Sequence, residues 1–596
     1  MSKSQRQSIL GFSYQQKKYD ERLAMAIKQR FDLSESLANL LAAREVSLDE
    51  VENFLDPKIK VTLPNPFDLL DMDVAVNHVI ESIKNNKKIT IFADYDVDGA
   101  TSSSLLKRFL EAINVEAGIY VPDRILEGYG PNLEALLNLK KSGTDLLITV
   151  DCGTVAFKPL EEAAKAGLEI IVIDHHLGVL EKPQAVAVIN PNRVDENFIY
   201  KNLCAAGVCF LFVVAINKRL REIGFYENIK EPNILSLLDL VALGTVCDVM
   251  PLVGLNRVFV SAGLKILKQR KNLGLRQICD LAGLDEEPSA YHLGFIIGPR
   301  INAGGRVGKS NLGARILSSS DEDEIGIIAQ ELELLNKQRK EIEVQVLEEA
   351  VKALESRRDG FSADDAVIFA VSKNWHQGVI GIAASRLKDL YNKPVAVIAI
   401  DDEGKKGKAS CRSILGIDFG GEILKARMEG LLLDGGGHAM AGGFSVLPEK
   451  IADLHAFFNK NLNEKIKEIT AKKDVFFDIE LDLSQVNIEL LKEIEKLEPF
   501  GMGNAKPKFI IRNLQKMNAK LIGQNQDHIS CTFSSKSTLG FTGNLQAVAF
   551  RSAKTKIAEI LLDPNNRQLL NVVGSLNINN WMGTQKVQLL IEDILL

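Results

Sequence analysis

The stretch ITIFADYDVDG (residues 89–99) decides the fold. It opens with an apolar run of strand length, Ile89 to Phe92, then sets three aspartates at alternate positions, Asp94, Asp96 and Asp98, before a glycine. Two further stretches repeat the plan. LLITVDCGT (146–154) ends the run Leu146 to Val150 in Asp151, and IIVIDHH (170–176) ends Ile170 to Ile173 in Asp174, His175 and His176. Helical patterns, Thr101 to Ile113 and Leu160 to Ala166, separate them. Strands alternating with helices predict an α/β domain with a mostly parallel sheet covered on both faces. Loops leaving the carboxyl ends of such strands converge on one crevice, so acids far apart in the chain meet in space.

So many carboxylates in one crevice repel each other unless cations neutralise them. Hard oxygen donors with one or two imidazoles suit Mn²⁺ or Mg²⁺, and a cluster this acidic suits two ions, the clamp used to hydrolyse phosphate esters. A fourth acid, Asp248 in GTVCDVMPL (244–252), lies in a mostly apolar stretch and needs a partner, either a metal or a helix cap. Taken singly, these features have ordinary readings. D-x-D-x-D resembles a calcium loop, but the EF-hand spacing is missing and a strand precedes it. Asp151 or Asp174 alone reads as a helix cap, and His175 and His176 alone read as surface or core histidines. The occurrence of all three clusters after strands is what selects a metal centre.

Outward from this core, the 596-residue length allows several domains, at about 150 residues each. With 46% hydrophobic and 25% charged residues the composition is that of globular protein. The net charge of −6 excludes a uniformly basic polyanion binder but not a local basic groove. The longest nearly apolar run, Leu203 to Ile216, is shorter than the ~20 residues needed to span a bilayer, and MSKSQRQS at the start lacks the apolar run of a signal peptide. Seven scattered cysteines, none in C-x-x-C, point away from disulfides or a zinc cluster and towards the cytoplasm.

Residues 1–67 read as a short helical segment closed by prolines, and 68–320 as the catalytic α/β domain, with a further buried element over Leu235 to Leu243. From 321 to 358 a Pro-free pattern with Leu332, Leu335, Ile342, Val346, Leu347, Val351 and Leu354 at helical spacing predicts a long connector with one apolar stripe and no chemistry. Residues 359–462 read as a second α/β domain, with strands over Ala366 to Val371 and Val395 to Ile400. Residues 463–596 read as a Lys/Glu-rich helix and then a β-barrel, with strands over Val475 to Ile479, Phe509 to Ile511, Gln546 to Phe550, Leu569 to Val573 and Lys586 to Ile591. Residues 501–560 hold nine Lys or Arg against only Asp527 and Glu559, either a polyanion-binding surface or an ordinary solvated face.

ADYDVDG, VDCG, DHH and GTVCDVMPL stand in the order and spacing of the four motifs of the DHH phosphoesterase superfamily. The likeness extends through PDRILEGYG (122–130), GPRINAGGRVG (298–308), WHQGVIGIAASRL (375–387), GKASCRS (407–413), GGGHAMAGG (435–443) and EPFGMGN (498–504), and within that superfamily resembles the RecJ-type nucleases. The resemblance implies a DHH domain, a connector helix, a DHHA1 domain and an OB-fold. It implies a 5′→3′ exonuclease specific for single-stranded DNA that releases 5′-mononucleotides in recombination and repair, with a helicase and a single-strand-binding protein as partners.

It further implies that Asp94, Asp96, Asp98, Asp151, His175 and Asp248 hold two ions, with Asp151 bridging and His176 a ligand or phosphate contact. Ser410 and Arg412 would hold the terminal 5′-phosphate, and Gly436, Gly437 and His438 would let backbone approach a phosphate. Arg124, Arg300, Asn302, Arg306 and His376 would line the strand path. Trp375 reads as a stacking platform or, at least as readily, as packing, and Phe509 or Phe550 of the barrel read more often as core than as stacking platforms. Cys247, Met250 and Cys411 depart from the usual pattern and would add oxidation sensitivity. Two other readings are a DHH enzyme for short oligonucleotides or small phosphates, which would lack the barrel, and an inactive scaffold, which would have lost ligands.

Overall fold

The computed structural model describes residues 6–357, 360–471, 473–537, 540–581 and 584–595; the connector and second-domain boundaries expected at 358 and 359 lie outside them. The chain forms two compact units, 63–250 with 254–472, and 1–62 with 251–253 and 473–596.

In the larger unit, strands β1 (Ile89–Ala93), β2 (Ala117–Tyr120), β3 (Leu146–Val150), β4 (Glu169–Ile173) and β5 (Ala187–Ile189) make a parallel sheet in the order β2-β1-β3-β4-β5. Every residue of β1, β3 and β5 is buried, which explains their continuous apolar runs. Helices α1 (Val97–Ala112), α2 (Ala205–Glu222) and α3 (Leu238–Cys247) bury most of their residues. The run from Leu203 to Ile216 is thus a core helix; among the described residues no helix is long and apolar enough to cross a membrane. The chain goes from β1 out to β2 and returns to β3 on the opposite side. Strand order therefore reverses between β1 and β3, and a crevice opens beyond their carboxyl ends. Strands β2 and β5 escaped the sequence reading because they are short and lack a distinctive run.

Helix α4 (Gly298–Val307) leads towards α5 (Glu322–Glu355), a 34-residue helix capped by the Asp321 carboxylate, which accepts the backbone N–H of Asp323 and Glu324. Its stripe is not wholly apolar. Ile325, Ile328, Ala329 and Leu332 are buried towards its start and Val346, Ala350 and Leu354 towards its end, but the buried residues between are Asn336, Arg339 and Glu343.

The second sheet combines β6 (Ile368–Ser372), β7 (Val395–Ile400), β8 (Gly407–Arg412), β9 (Asp434–His438) and β10 (Ala441–Val446) in the order β9-β10-β8-β7-β6, and only β6 and β7 run parallel. Helix α6 (Ile380–Tyr391) connects β6 to β7, and α7 (Ile451–Ala471) buries Leu454, Phe458, Leu462 and Ile466 in the core of this domain. The Lys/Glu-rich segment after 462 is therefore the last part of a helix belonging to the second α/β domain, not the opening of the barrel. Its apolar face keeps helical spacing across the expected boundary.

In the smaller unit, β11 (Phe509–Ile522), β12 (His528–Ser537), β13 (Gly540–Ala549), β14 (Leu569–Trp581) and β15 (Thr584–Leu595) run in the order β11-β12-β13-β15-β14, and β14 pairs back onto β11 to close a barrel. The N-terminal segment is part of this unit. Ser13–Gln16 pairs in parallel with Asp474–Phe477, and Ile27, Leu37, Leu40 and Leu41 enter the barrel's apolar cluster.

Candidate metal centre and phosphate-binding cleft

Asp94 leaves β1, and Asp96 caps α1, its carboxylate accepting the N–H of Asp98 at 2.8 Å and Gly99 at 3.1 Å. A Cβ on Gly99 would stand 2.3 Å from the Asp94 carbonyl oxygen, so the turn closes only with glycine. Asp98, buried in the first turn of α1, accepts the N–H of Ala205 at 2.6 Å and Ala206 at 3.0 Å, in the first turn of α2. The positive end of that helix supports its charge. Asp151 follows β3 with φ 61°, a left-handed conformation that turns the chain sharply at the strand end. Asp248 closes α3 at its C-cap.

Asp174 does not join these acids as a free donor. It accepts the backbone N–H of His175 at 2.7 Å, of His176 at 3.2 Å and of Thr154 at 3.0 Å, and its Oδ1 lies 2.8 Å from Nδ1 of His176. It wires the DHH turn and thereby aims both imidazoles.

The expected ligands do come together. His175 Nε2 lies 3.2 Å from Asp151 Oδ1, 3.5 Å from Asp248 Oδ2 and 3.8 Å from Asp98 Oδ2. Donor atoms of Asp94, Asp96 and Asp151 lie within 4.8 Å of one another, as do those of Asp98, His175 and Asp248, and those of Asp151, His175 and His176. Burial, with repulsion from neighbouring carboxylates, pushes Asp94, Asp98 and Asp151 up, and raises Asp248 to about 9. Burial pushes His175 down, towards the neutral imidazole that ligates metals. Asp94 Oδ1 and Asp248 Oδ2 are buried with no hydrogen-bond partner. Carboxylate oxygens and imidazole nitrogen in this number suit Mn²⁺ or Mg²⁺, and such cations would satisfy both orphaned oxygens and the mutual repulsion.

His176 differs from its neighbour. Burial opposes its protonation, but the bond to Asp174 prevails and raises it to about 9. The Tyr129 hydroxyl, 3.1 Å from the Asp151 carbonyl oxygen, also reaches this ring.

Beside the centre lies a basic wall. The Arg124 guanidinium stacks over the Tyr95 ring at 4.9 Å. Arg306 donates to the Gly378 carbonyl at 3.1 Å, and burial with the charges of Arg124, Arg339 and Arg412 pulls it down to about 10. Burial and Arg124 lower His376 and Lys408 as well, so these groups form one cluster. Residues of β8 alternate, with Gly407, Ala409 and Cys411 buried and Lys408, Ser410 and Arg412 on the open face. Arg412 donates Nε to Ser385 Oγ at 3.1 Å and lies 3.3 Å from Ser410 Oγ.

Gly436, Gly437 and His438 form the edge strand β9 rather than a loop. Gly436 and Ser410 both pair with Gly443, so the glycines lie two strands from Ser410 and Arg412. Asn302 is half-buried on α4, one turn before Arg306. Arg300 is a correction. Its guanidinium binds Glu333 Oε2 at 2.6 Å and the Ile296 carbonyl at 2.7 Å, which ties α4 to α5 and draws the side chain towards α5. Trp375 is packing: buried, it donates Nε1 to Glu349 at 2.9 Å. Phe509 is core, whereas Phe550 is exposed beside His528. Two barrel cations meet acids outside the basic segment, Lys508 with Glu592 and Arg512 with Glu480. Burial pushes the Cys247 and Cys411 thiols up, away from the reactive thiolate.

Tyr95, Tyr129, Ser385, Arg339 and Lys408 were missed as site residues. All but Arg339 stand within the quoted motifs, and Lys408 carried a further signal, the alternation that places it beside Ser410.

Comparison with known proteins agrees with this geometry. Residues 88–245 match the model of the DHH family, N-terminal domain, 364–464 the DHHA1 domain and 477–593 the RecJ OB domain. The single-stranded-DNA-specific exonuclease RecJ of Haemophilus influenzae is 34% identical over 545 residues, 91% of this chain and 93% of that protein. RecJ of Bacillus subtilis is 31% identical over 571 residues, 96% of this chain and 67% of its own. The structure of Thermus thermophilus RecJ in complex with Mn²⁺ superimposes with a TM-score of 0.77 at 27% identity, covering 98% of this chain and 78% of that one, and the same protein has been solved with Mg²⁺. This chain belongs to the RecJ family of DHH-domain proteins.

Proposed function

We propose that this protein is a metal-dependent exonuclease that degrades single-stranded DNA from the 5′ end and releases 5′-mononucleotides, in recombination and repair. The observation that carries the reading is the meeting of Asp94, Asp96, Asp98, Asp151, His175 and Asp248 at the sheet's reversal point, against a wall of arginines that can take a phosphate backbone. Asp94, Asp96 and Asp151 would hold one ion, and Asp98, His175 and Asp248 the other, with Asp151 shared. When bound, two such ions supply a hydroxide near neutral pH and stabilise charge on the phosphoryl oxygens. The chain's own residues do the rest. Asp174 holds His176 through Nδ1 and favours its protonated form, and the His176 ring would donate to a non-bridging oxygen or to the departing 3′-oxygen. Arg412, held by Ser385 and Ser410, offers a fork to the terminal 5′-phosphate. Arg124, Arg306 and His376, with Asn302, would carry the next phosphates, and the glycine edge strand would let backbone approach them.

The closed barrel favours long strands over the dinucleotides of smaller DHH enzymes, and the intact donor set argues against an inactive scaffold. Cytoplasmic location and work with a helicase and a single-strand-binding protein are part of the same proposal. Degradation of 5′- and 3′-labelled oligonucleotides, single and double stranded, with Mn²⁺ or with EDTA, tests it. Release of labelled mononucleotide from the 5′ end of single strands, abolished by EDTA, is the expected result. Cleavage confined to di- to tetranucleotides would overturn it.

A further inference from the structure

The long helix α5 carries a buried polar layer where an apolar stripe was expected. Asn336, Arg339 and Glu343 share one face at spacings of three and four residues, between the apolar contacts of Leu332 and Val346. Buried charges persist when they are paired and hydrogen-bonded. Here one carboxylate serves two guanidinium groups: Glu343 Oε2 accepts from Arg339 at 2.6 Å, and Oε1 accepts from Nε of Arg386 at 3.1 Å. Asn336 Oδ1 holds Arg339 from its other side at 3.0 Å.

Arg386 lies on α6, and its neighbours on that helix support the phosphate wall. Ser385 accepts from Arg412, and a Cβ on Gly381 would stand 3.0 Å from Ser410 Oγ and 3.4 Å from the Arg412 guanidinium. Strand β8 therefore rests on α6, and α6 is tied to α5 through Glu343. On the other side, α5 packs on α4, where a Cβ on Gly304 would stand 3.5 Å from Leu332, and α4 packs on the loop between Asp94 and Asp96, where a Cβ on Gly305 would stand 2.8 Å from the Tyr95 carbonyl oxygen. A series of packed elements thus runs from β8 through α6, α5 and α4 to the loop that carries Asp94 and Asp96.

We propose that Glu343 is a positioning residue: through Arg386 it ties α6, and with it the phosphate-binding face of β8, to α5 and so fixes that face relative to the metal centre, without touching substrate itself. The inference rests on the strand-hydrolysis reading above and deepens it, since an exonuclease that grips a terminal phosphate must hold that grip at a set distance from the scissile bond.

The test compares the full-length protein with its Glu343→Gln variant on single-stranded oligonucleotides bearing a 5′-phosphate or a 5′-hydroxyl, alongside calorimetric titration with Mn²⁺ alone. The variant is expected to raise KM for the phosphorylated strand roughly tenfold, with kcat within about threefold and the preference for the phosphorylated end much reduced. Mn²⁺ affinity should stay at the wild-type value. Unchanged KM and preference would overturn the proposal, and so would a parallel fall in kcat and Mn²⁺ affinity, which marks a general structural role. If Glu343→Gln does not fold by circular dichroism, Arg386→Met, at a half-exposed side chain, breaks the same link and is judged by the same outcomes. Failure of the wild-type protein to degrade either strand would instead refute the functional reading.

Discussion

His175 Nε2 lies 3.2 Å from Asp151 Oδ1, although the two residues leave different strands of the sheet. The approach follows from strand order: β3 and β4 are parallel neighbours in register from Leu146 opposite Glu169 to Val150 opposite Ile173, so the residues after them emerge side by side. A neutral imidazole and a carboxylate converging in a buried crevice gain little from each other alone. Both gain by donating lone pairs to a common cation.

Asp151→Asn therefore separates binding from chemistry. The amide keeps the shape but cannot bridge cations, so turnover on single-stranded DNA should fall by about a thousandfold or more while affinity for the strand stays within a few fold. Gel-shift and product assays on the purified variant check this. Near-normal turnover would remove Asp151 from the centre.

The same crowding predicts an inverted pH dependence of stability. Folded Asp248 titrates at about 9, raised by burial and then by Asp98 and Asp96, against ~3.9 for an unfolded aspartate. Asp94 and Asp151 shift in the same direction. The folded state binds more protons throughout this window, so in EDTA the melting temperature should fall as pH rises from about 5 to 9. Saturating Mn²⁺ should reverse the trend, because ligation favours the deprotonated donors and stabilises by about 2.7 kcal/mol at a hundred times Kd. Melting curves at three pH values in EDTA and in Mn²⁺ decide it.

Much of this was legible in the sequence, and what was not has physical causes. Strands β1, β3 and β4 announce themselves because burial on both faces demands uninterrupted apolar runs, and their aspartates mark where the runs end. Strand β12 did not, because Thr532 and Ser534, polar although buried, interrupt the apolar pattern of Ile529, Cys531 and Phe533. Arg300 and Arg306 look alike in GPRINAGGRVG, but only tertiary packing reveals that Glu333 satisfies the first. The polar layer of α5 was hidden for a related reason: Arg339 and Glu343 read as solvated charges until Arg386 is brought against them.

Those two arginines on α4 should behave differently when truncated. Arg306→Ala should weaken single-strand binding and reduce the magnitude of the slope of log affinity against log salt by about one, the loss of one phosphate contact. Arg300→Ala should leave that slope alone and lower the melting temperature, since it leaves Glu333 partly buried without its partner. Salt titrations of both variants make the comparison; equal slopes would return Arg300 to the strand path.

The final prediction concerns where the second α/β domain ends. Helix α7 crosses residue 462 and continues to Ala471, and Ile466, at 2% exposure, sits in the same apolar cluster as Phe458 and Phe419. A fragment spanning 63–462 would lose that side chain and the last turns of the helix, whereas one spanning 63–471 would keep both. Deleting a buried aliphatic side chain from a core costs about 2–5 kcal/mol, and for a chain of this size the shorter fragment should melt lower by about 2–6 °C. Calorimetry on the two fragments tests the assignment. Identical melting would mean that residues 463–471 contribute nothing to this core and belong, after all, with the barrel that follows.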